Sequence, residues 1–431
     1  MNRFSIILFC LLSPLVVLAG NDVTVTGRVN RPSALMRLMV YDDLLNMHET
    51  LVAETFSDEK GFFILEGSLD KIRPASIYVG LESVDLVVTP GASYEVDIIV
   101  PDADPHASYF ERESPTLRLK TSSDHGIYRQ IIISEQIIDD YVLNYFDDLY
   151  RRRQYRYLDS IRATIDRELD IKSNYVKQQN AYKIASVQMA VNADGGKKVI
   201  KEYFDGKPVL YQSMAYMDLF KDLFQNYELD DEFARRNPEL SDMVNIYQLR
   251  GLYNEDYQSR SWVKRQLQSI RQKSKSEDIK KMVSNTLDRF GRFAQGAEAP
   301  GFELQSTDGT MVKLSDYKDS MVLLQFVDAS SRTVDHQFET MADLHRQWQD
   351  SVKLITVSTK DQLASHRRRF EEHHYDWPLL NLGNDILLLE RYEVRTFPEY
   401  FIILPGTKIG LAPAPNPDRS LRENVTKLLK K

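Results

Sequence analysis

Apolar and polar positions change their rhythm twice along this chain, and each change announces a different kind of structure. From Asp22 to about Pro101 they alternate in short runs: Val23-Thr24-Val25-Thr26-Gly27-Arg28-Val29, Leu38-Met39-Val40-Tyr41, Ile77-Tyr78-Val79-Gly80-Leu81 and Tyr94-Glu95-Val96-Asp97-Ile98. Alternation of period two turns one face of a strand to a core and the other to water. Between these runs, Asp58-Glu59-Lys60-Gly61-Phe62-Phe63 reads as a hairpin turn with glycine where a positive φ is needed. The pattern predicts a small antiparallel β-sandwich over residues 22–105.

From about Thr116 the period becomes helical. Ile131, Ile138, Val142, Tyr145 and Leu149 share one face, and Leu158, Ile161, Ile165 and Leu169 share another. Breakers at Ala193-Asp194-Gly195-Gly196, Gly206-Lys207-Pro208 and Asn237-Pro238 split residues 116–294 into several helices. Tyrosines 141, 145, 150, 155 and 157 crowd this region. Aromatics at helical spacing are core or interhelix contacts, and a carbohydrate-binding surface is the alternative. No ligand spacing such as Glu-x-x-His stands on these helices, so no metal is expected.

From Gly296 onward strands and helices alternate. Residues 321–326, 352–358 and 399–404 are apolar, β-branched runs, and 333–348, 361–373 and 419–429 have helical spacing. This predicts an α/β domain with a central sheet over 296–431. The expected architecture is therefore multidomain: β-sandwich, helical region, α/β domain.

Length agrees, because 431 residues exceed what one core organises. Residues 1–20 stand apart: Arg3 precedes an almost wholly apolar Ile6–Leu18, and small residues follow at Ala19 and Gly20. They read as a signal peptide cleaved near Ala19 or Gly20. An uncleaved anchor would need ~20 apolar residues. Lipidation at Cys10 is disfavoured by Phe9 before it and by its place in the middle of the apolar run. Cys10 is the only cysteine, so the mature chain is expected to carry no thiol, as suits a bacterial periplasm. No stable membrane insertion is expected after cleavage. The net charge of −8 argues against nucleic acid as a partner. The clusters Arg151-Arg152-Arg153 and Arg367-Arg368-Arg369 sit in charge-mixed helical surroundings and read as solvated faces.

The last third carries a resemblance. Gly296-Ala297-Glu298-Ala299-Pro300-Gly301-Phe302, then Asp308-Gly309 and Leu314-Ser315-Asp316-Tyr317, resembles the opening of exported thiol–disulfide oxidoreductases of the thioredoxin superfamily, the TlpA and peroxiredoxin-like branch. Arg391-Tyr392-Glu393-Val394-Arg395-Thr396-Phe397-Pro398 is similar to the segment leading to that family's cis-proline. The turn Asp58–Phe63 and the strand pattern before it resemble the N-terminal β-sandwich that precedes such domains in exported proteins of Bacteroidetes-type bacteria. The resemblance implies a thioredoxin-like fold for 296–431 and a site where the strand ending in Phe326 turns into a helix. There the family has Phe-Trp-Ala-Ser/Thr-Trp-Cys-x-x-Cys, which places Ser331 and Val334 at the two cysteines and Thr333 where many members carry proline.

Disulfide exchange needs an attacking thiolate and a resolving thiol. The hydroxyl of Ser331 supplies neither, and Val334 has no reactive atom; peroxidase chemistry fails for want of a thiol. His336 lies five residues after Ser331, a poor offset for a Ser–His dyad, and the plain reading of Ser331 is a helix N-cap. His373 and His374, being adjacent, point apart and read as surface residues. What the resemblance leaves is peptide binding by strand addition at the residue before the cis-proline. The candidate binding residues are Thr396, Phe397, Pro398, Ser330, Ser331 and Arg332, with Phe397 bulkier than the family's usual residue and able to cover the groove. The expected function is a noncatalytic periplasmic binding or scaffold module with a protein or peptide partner and no cofactor. An oxidoreductase-family enzyme working through a partner's thiols, or a carbohydrate- or envelope-associated accessory protein, is the alternative.

Overall fold

The computed structural model describes residues 21–102, 113–191, 196–255, 259–328, 332–348, 351–359, 362–383, 385, 387–394, 396–417 and 419–429. In the N-terminal unit β1 (Asp22–Val29), β4 (Phe62–Ser68), β7 (Ser93–Ile99) and β8 (Thr116–Ser122) form a four-stranded sheet in the order β4-β1-β7-β8. A second four-stranded sheet runs β3-β2-β5-β6, from β2 (Leu35–Asp43), β3 (His48–Phe56), β5 (Arg73–Val79) and β6 (Glu82–Val88). Inward positions of both sheets, Val23 and Val25 with Leu38, Val40, Ile77 and Val96, share one core cluster. The alternation seen in the sequence is what produces that shared core.

Three features depart from the expected antiparallel β-sandwich of 22–105. β1 and β7 pair in parallel, because the chain visits the other sheet between them and no hairpin fixes their relative direction. β8 pairs with β7 and belongs to this unit, although the reading above gave residues from Thr116 to the helices. Its Leu117 and Leu119 alternate with polar neighbours and pack against the core, a period-two signal only a few residues long. The turn at Asp58–Gly61 also joins different sheets, so it is an arch rather than a hairpin. Its local chemistry is as expected: Asp58 Oδ1 accepts from the amides of Lys60 and Phe62, and Gly61 has φ of 80°.

The helical region comprises α1 (Ile127–Asn144), α2 (Arg156–Glu168), α3 (Asn174–Val191), α4 (Lys197–Val199), α5 (Met214–Phe224), α6 (Asp231–Arg236), α7 (Pro238–Glu255), α8 (Arg260–Lys273) and α9 (Glu277–Arg292). Wider π turns occupy Asp147–Arg151 and Ile200–Phe204. Ile131, Ile138 and Leu149 are buried as their spacing requires, but Tyr145, at the α1 C-cap, is 39% exposed. Asn237 closes α6 and also ties the preceding loop, accepting from the Gly206 amide at 2.6 Å.

In the C-terminal domain β9 (Glu303–Ser306), β10 (Met311–Lys313), β11 (Met321–Val327), β12 (Val352–Ser358), β13 (Leu379–Asn381), β14 (Glu399–Leu404) and β15 (Lys408–Ala414) form one sheet, ordered β10-β9-β13-β12-β11-β14-β15. β11, β12 and β13 are parallel, and β14 runs antiparallel to β11. Helices α10 (Arg332–Trp348), α11 (Leu363–His373), α12 (Leu388–Arg391) and α13 (Arg419–Leu429) complete it. Every residue of β11 is buried, with Leu324 and Phe326 in one core layer and Leu323 and Val327 in the other. A central strand covered on both faces reads as a continuous apolar run, which is how it was visible in the sequence.

The three regions interlock. Leu44 and Leu45, in the β2–β3 loop, join the core of the helical region. Asn46 Nδ2 donates to the Met282 carbonyl at 3.0 Å, and Asn285 Nδ2 to Asp43 Oδ2 at 3.0 Å. Arg292 reaches Glu393 at 2.7 Å, tying α9 to the C-terminal domain. Leu81, in the β5–β6 turn, packs against that domain's core.

Candidate functional site

The parallel strands β11 and β12 end side by side, with Val327 opposite Ser358 and the antiparallel β14 entering beside Phe326 at Glu399. The segments that follow β11 and precede β14 therefore meet at one end of the sheet. The Phe397–Pro398 peptide bond there is cis, as expected. Thr396 is exposed, and Phe397 is half-buried with its side chain packed against the core cluster containing Phe326 and Tyr392. A second cis bond, Ala412–Pro413, was not anticipated.

Residues 329–331, with the candidates Ser330 and Ser331, lie outside the described residues. So do the side chains of Arg332 and Val334. Backbone is described again at Arg332, where α10 begins. His336, on the first turns of that helix, has 82% of its side chain in solvent, with Glu339 at 3.8 Å. His373 stacks on Tyr375, while His374 takes a left-handed conformation at the end of α11. Among the described residues no group of three His, Cys, Asp or Glu side chains is placed to hold a metal ion.

Beneath this end of the sheet lies a polar cluster that sequence reading missed. Asp328 is fully buried and accepts a short hydrogen bond from Thr359 Oγ1, while the Thr359 amide donates to the Val327 carbonyl at 3.2 Å. Ser358 Oγ lies 2.8 Å from His366 Nδ1, and both residues are fully buried. This pair is not a nucleophile and its base. Ser358 Oγ donates its one proton to the Thr359 carbonyl at 3.0 Å, so Nδ1 of His366 is the donor to Oγ. Neither is open to a substrate. The one sequence clue was a carboxylate closing the run Met321–Val327, apolar save for Gln325, where a loop residue was the ordinary expectation.

A second chain of hydrogen bonds crosses the same layer of the domain. Trp377 Nε1 donates to Thr356 Oγ1 at 3.0 Å, and Thr356 Oγ1 donates to Gln325 Oε1 at 3.0 Å. Gln325 Nε2 donates to the Tyr400 hydroxyl at 3.1 Å, which donates to Gln337 Oε1 at 3.1 Å. Burial raises the Tyr400 phenol above its ordinary range, so it stays protonated and available as a donor. Each polar atom in a dry layer is thereby satisfied, and α10 is pinned to the central strands. A cavity of about 660 Å³, lined by Tyr317, His345, Lys353 and Trp377, lies toward the opposite end of the parallel strands. It does not belong to this site.

Comparison with known proteins places the domain. The sequence profile of the AhpC/TSA family matches residues 295–411, so the C-terminal third carries a thioredoxin-like domain of that family. The thiol-disulfide oxidoreductase ResA of Bacillus subtilis (strain 168) is 26% identical to this chain over 117 residues, 27% of this chain and 65% of ResA. The match thus spans less than two thirds of that relative's length. A thiol:disulfide interchange protein from Bacteroides sp. is 23% identical, with 32% of this chain and 93% of that one aligned at a TM-score of 0.30. The thioredoxin domain of a thiol-disulfide oxidoreductase from Bacteroides vulgatus is 24% identical, covering 32% of this chain and 98% of its own, with a TM-score of 0.29.

Proposed function

We propose that this chain is an exported, periplasmic protein whose thioredoxin-like domain binds extended protein segments without exchanging disulfides. The observation that carries this is elemental: beyond Cys10 the sequence contains no sulfur that can form a thiolate, and Ser331 and Val334 stand where the resemblance to the family implies the reactive pair. Sulfur cannot be replaced in that chemistry, since a serine hydroxyl is too weak an acid and forms no exchangeable bond. The surrounding scaffold persists, with Phe326 the last residue but one of strand β11 and the 396–398 segment beside it. The leader-like residues 1–20 support export, and no described helix is long and apolar enough to cross a membrane.

Binding by strand addition runs through the backbone at Phe397, the residue before Pro398, and its neighbours, so the exposed Thr396 next to it is the point to probe. Extended peptides from envelope proteins, titrated against the chain lacking residues 1–20, are expected to bind. Thr396→Pro removes one backbone N–H and should weaken them roughly tenfold. Failure of all such peptides to bind, or tight binding unaffected by Thr396→Pro, contradicts the reading.

A further inference from the structure

The stretch of chain that leads to Thr396, Phe397 and Pro398 is held from outside its own domain. Leu388, Leu389, Tyr392 and Val394, on α12 and the turn after it, are buried in the C-terminal core. Glu390 and Glu393, three residues apart, reach instead to other regions of the molecule. Glu390 accepts both prongs of Arg37, which belongs to β2 of the N-terminal unit. Glu393 accepts from Arg292 at 2.7 Å and lies 3.8 Å from Arg289, both on α9 of the helical region.

Each of these ties is accompanied by an apolar side chain from the same region. Arg37 also donates to the Gly80 carbonyl, and the next residue, Leu81, packs against the core cluster that contains Phe326 and Tyr392. Phe293 follows Arg292 and packs against that cluster too, its ring 6.2 Å from that of Phe401. Phe397, the residue before Pro398, rests on the same cluster. The layer beneath the candidate binding edge is therefore built jointly by all three regions of the chain.

The backbone points the same way. Glu393 has φ of 51°, its amide donates to the Glu390 carbonyl at 3.0 Å, and the Val394 amide donates to that of Leu389 at 2.9 Å. This is the left-handed residue that ends a helix, a place that glycine or asparagine usually takes because a β-carbon makes the conformation costly. A glutamate there is accounted for by what its carboxylate reaches, the two arginines of α9. We propose that the N-terminal unit and the helical region act as positioning elements for residues 388–394, with Arg37 and Arg292 setting how the thioredoxin-like domain presents Thr396 and Phe397. That this presentation governs the affinity for extended peptides rests on the function proposed above.

Amide hydrogen exchange of the chain lacking residues 1–20, without any peptide, tests the positioning directly. Arg292→Ala, on an exposed helix position, should speed exchange in 388–394 by about threefold, and Glu390→Gln by about tenfold, with the amides of β11 changing less. The charge swap Arg292→Glu with Glu393→Arg should restore the protection that Arg292→Ala loses, which a general loss of stability would not. Peptides that bind the wild type should lose affinity for Arg292→Ala by a similar factor. Exchange in 388–394 that neither substitution changes, a change shared equally by β11, or a swap that restores nothing overturns the proposal. So does altered exchange with peptide affinity left as in the wild type. If no peptide binds the wild type, the function proposed above falls, and the exchange measurements still decide whether the other two regions position this segment.

Discussion

Arg37 on β2 and Glu390 on α12, 353 residues apart in sequence, meet in a two-pronged ion pair, Nη2 to Oε1 at 2.6 Å and Nη1 to Oε2 at 2.9 Å. The Arg37 side chain is 6% exposed and that of Glu390 41%, so the cation is the buried partner. Arg37 also donates to the Gly80 carbonyl at 3.0 Å, beside Leu81, which packs on the C-terminal core. One residue thus fastens the N-terminal sheet to the thioredoxin-like domain. Glu390→Ala strands a buried guanidinium, and urea unfolding should show a loss of about 1–3 kcal/mol, less than for a fully buried pair because water reaches the carboxylate. An unchanged midpoint would mean that the pair holds nothing together.

The same face of the sheet sets a pH dependence. Burial raises the Glu49 carboxyl above its ordinary 4.5, although Tyr78 donates to it at 2.8 Å. The folded state therefore binds more protons than the unfolded one between the ordinary and the raised value, so this group's contribution to stability falls as pH rises through that window. Glu49→Gln should match the wild type below pH 4.5 and gain on it through the window, with a constant advantage above. Chemical unfolding at a series of pH values reads this directly; a gap that widens toward acid has the wrong sign for a raised carboxyl.

Gly61 is required by its backbone. With φ of 80° and an added Cβ placed 1.9 Å from the Val29 carbonyl oxygen, Gly61→Ala meets both strain and a clash. A loss of about 1–3 kcal/mol is expected by denaturant titration. A neutral substitution would show that the arch between β3 and β4 relaxes freely.

In the C-terminal domain, Gln325→Leu keeps the volume of the buried side chain but removes the partner of both Thr356 and Tyr400. Two buried hydroxyls then lose a bond, and unfolding free energy should drop by about 1–3 kcal/mol. Tyr400→Phe should cost less, since it removes one hydroxyl and leaves only Gln325 and Gln337 to find other partners. The reverse order would place the network's weight elsewhere.

How far the sequence revealed this structure depended on what each residue's signal reports. β11 was legible because a strand buried on both faces must be apolar throughout, and Met321–Val327 is, save Gln325. Gly61 announced a turn, but turn chemistry says where a chain reverses and not which sheet receives it, so the arch passed for a hairpin. β8 was overlooked because Thr116–Ser122 is half-exposed and offers only Leu117 and Leu119 to a core. At the site, the scaffold around Phe326 and Pro398 could be placed from motifs. The cluster of Asp328, Ser358, Thr359 and His366 could not, since those polar residues are buried by partners distant in sequence. The tyrosines divided in a way spacing alone does not fix: Tyr141 bonds Thr164 across α1 and α2, while Tyr145 and Tyr155 face solvent.

The sharpest measurement is turnover of a model protein disulfide, such as those of insulin, by the wild-type chain and by Ser331→Cys/Val334→Cys side by side. If only sulfur is missing from this site, the wild type shows no turnover above the reductant alone. The double variant forms and reduces a disulfide reversibly and catalyses exchange, with its first thiol below the ~8.5 of free cysteine because α10 begins at the next residue. Turnover by the wild-type chain, with the absence of thiols confirmed by mass after alkylation, would contradict the claim that its redox chemistry has been lost.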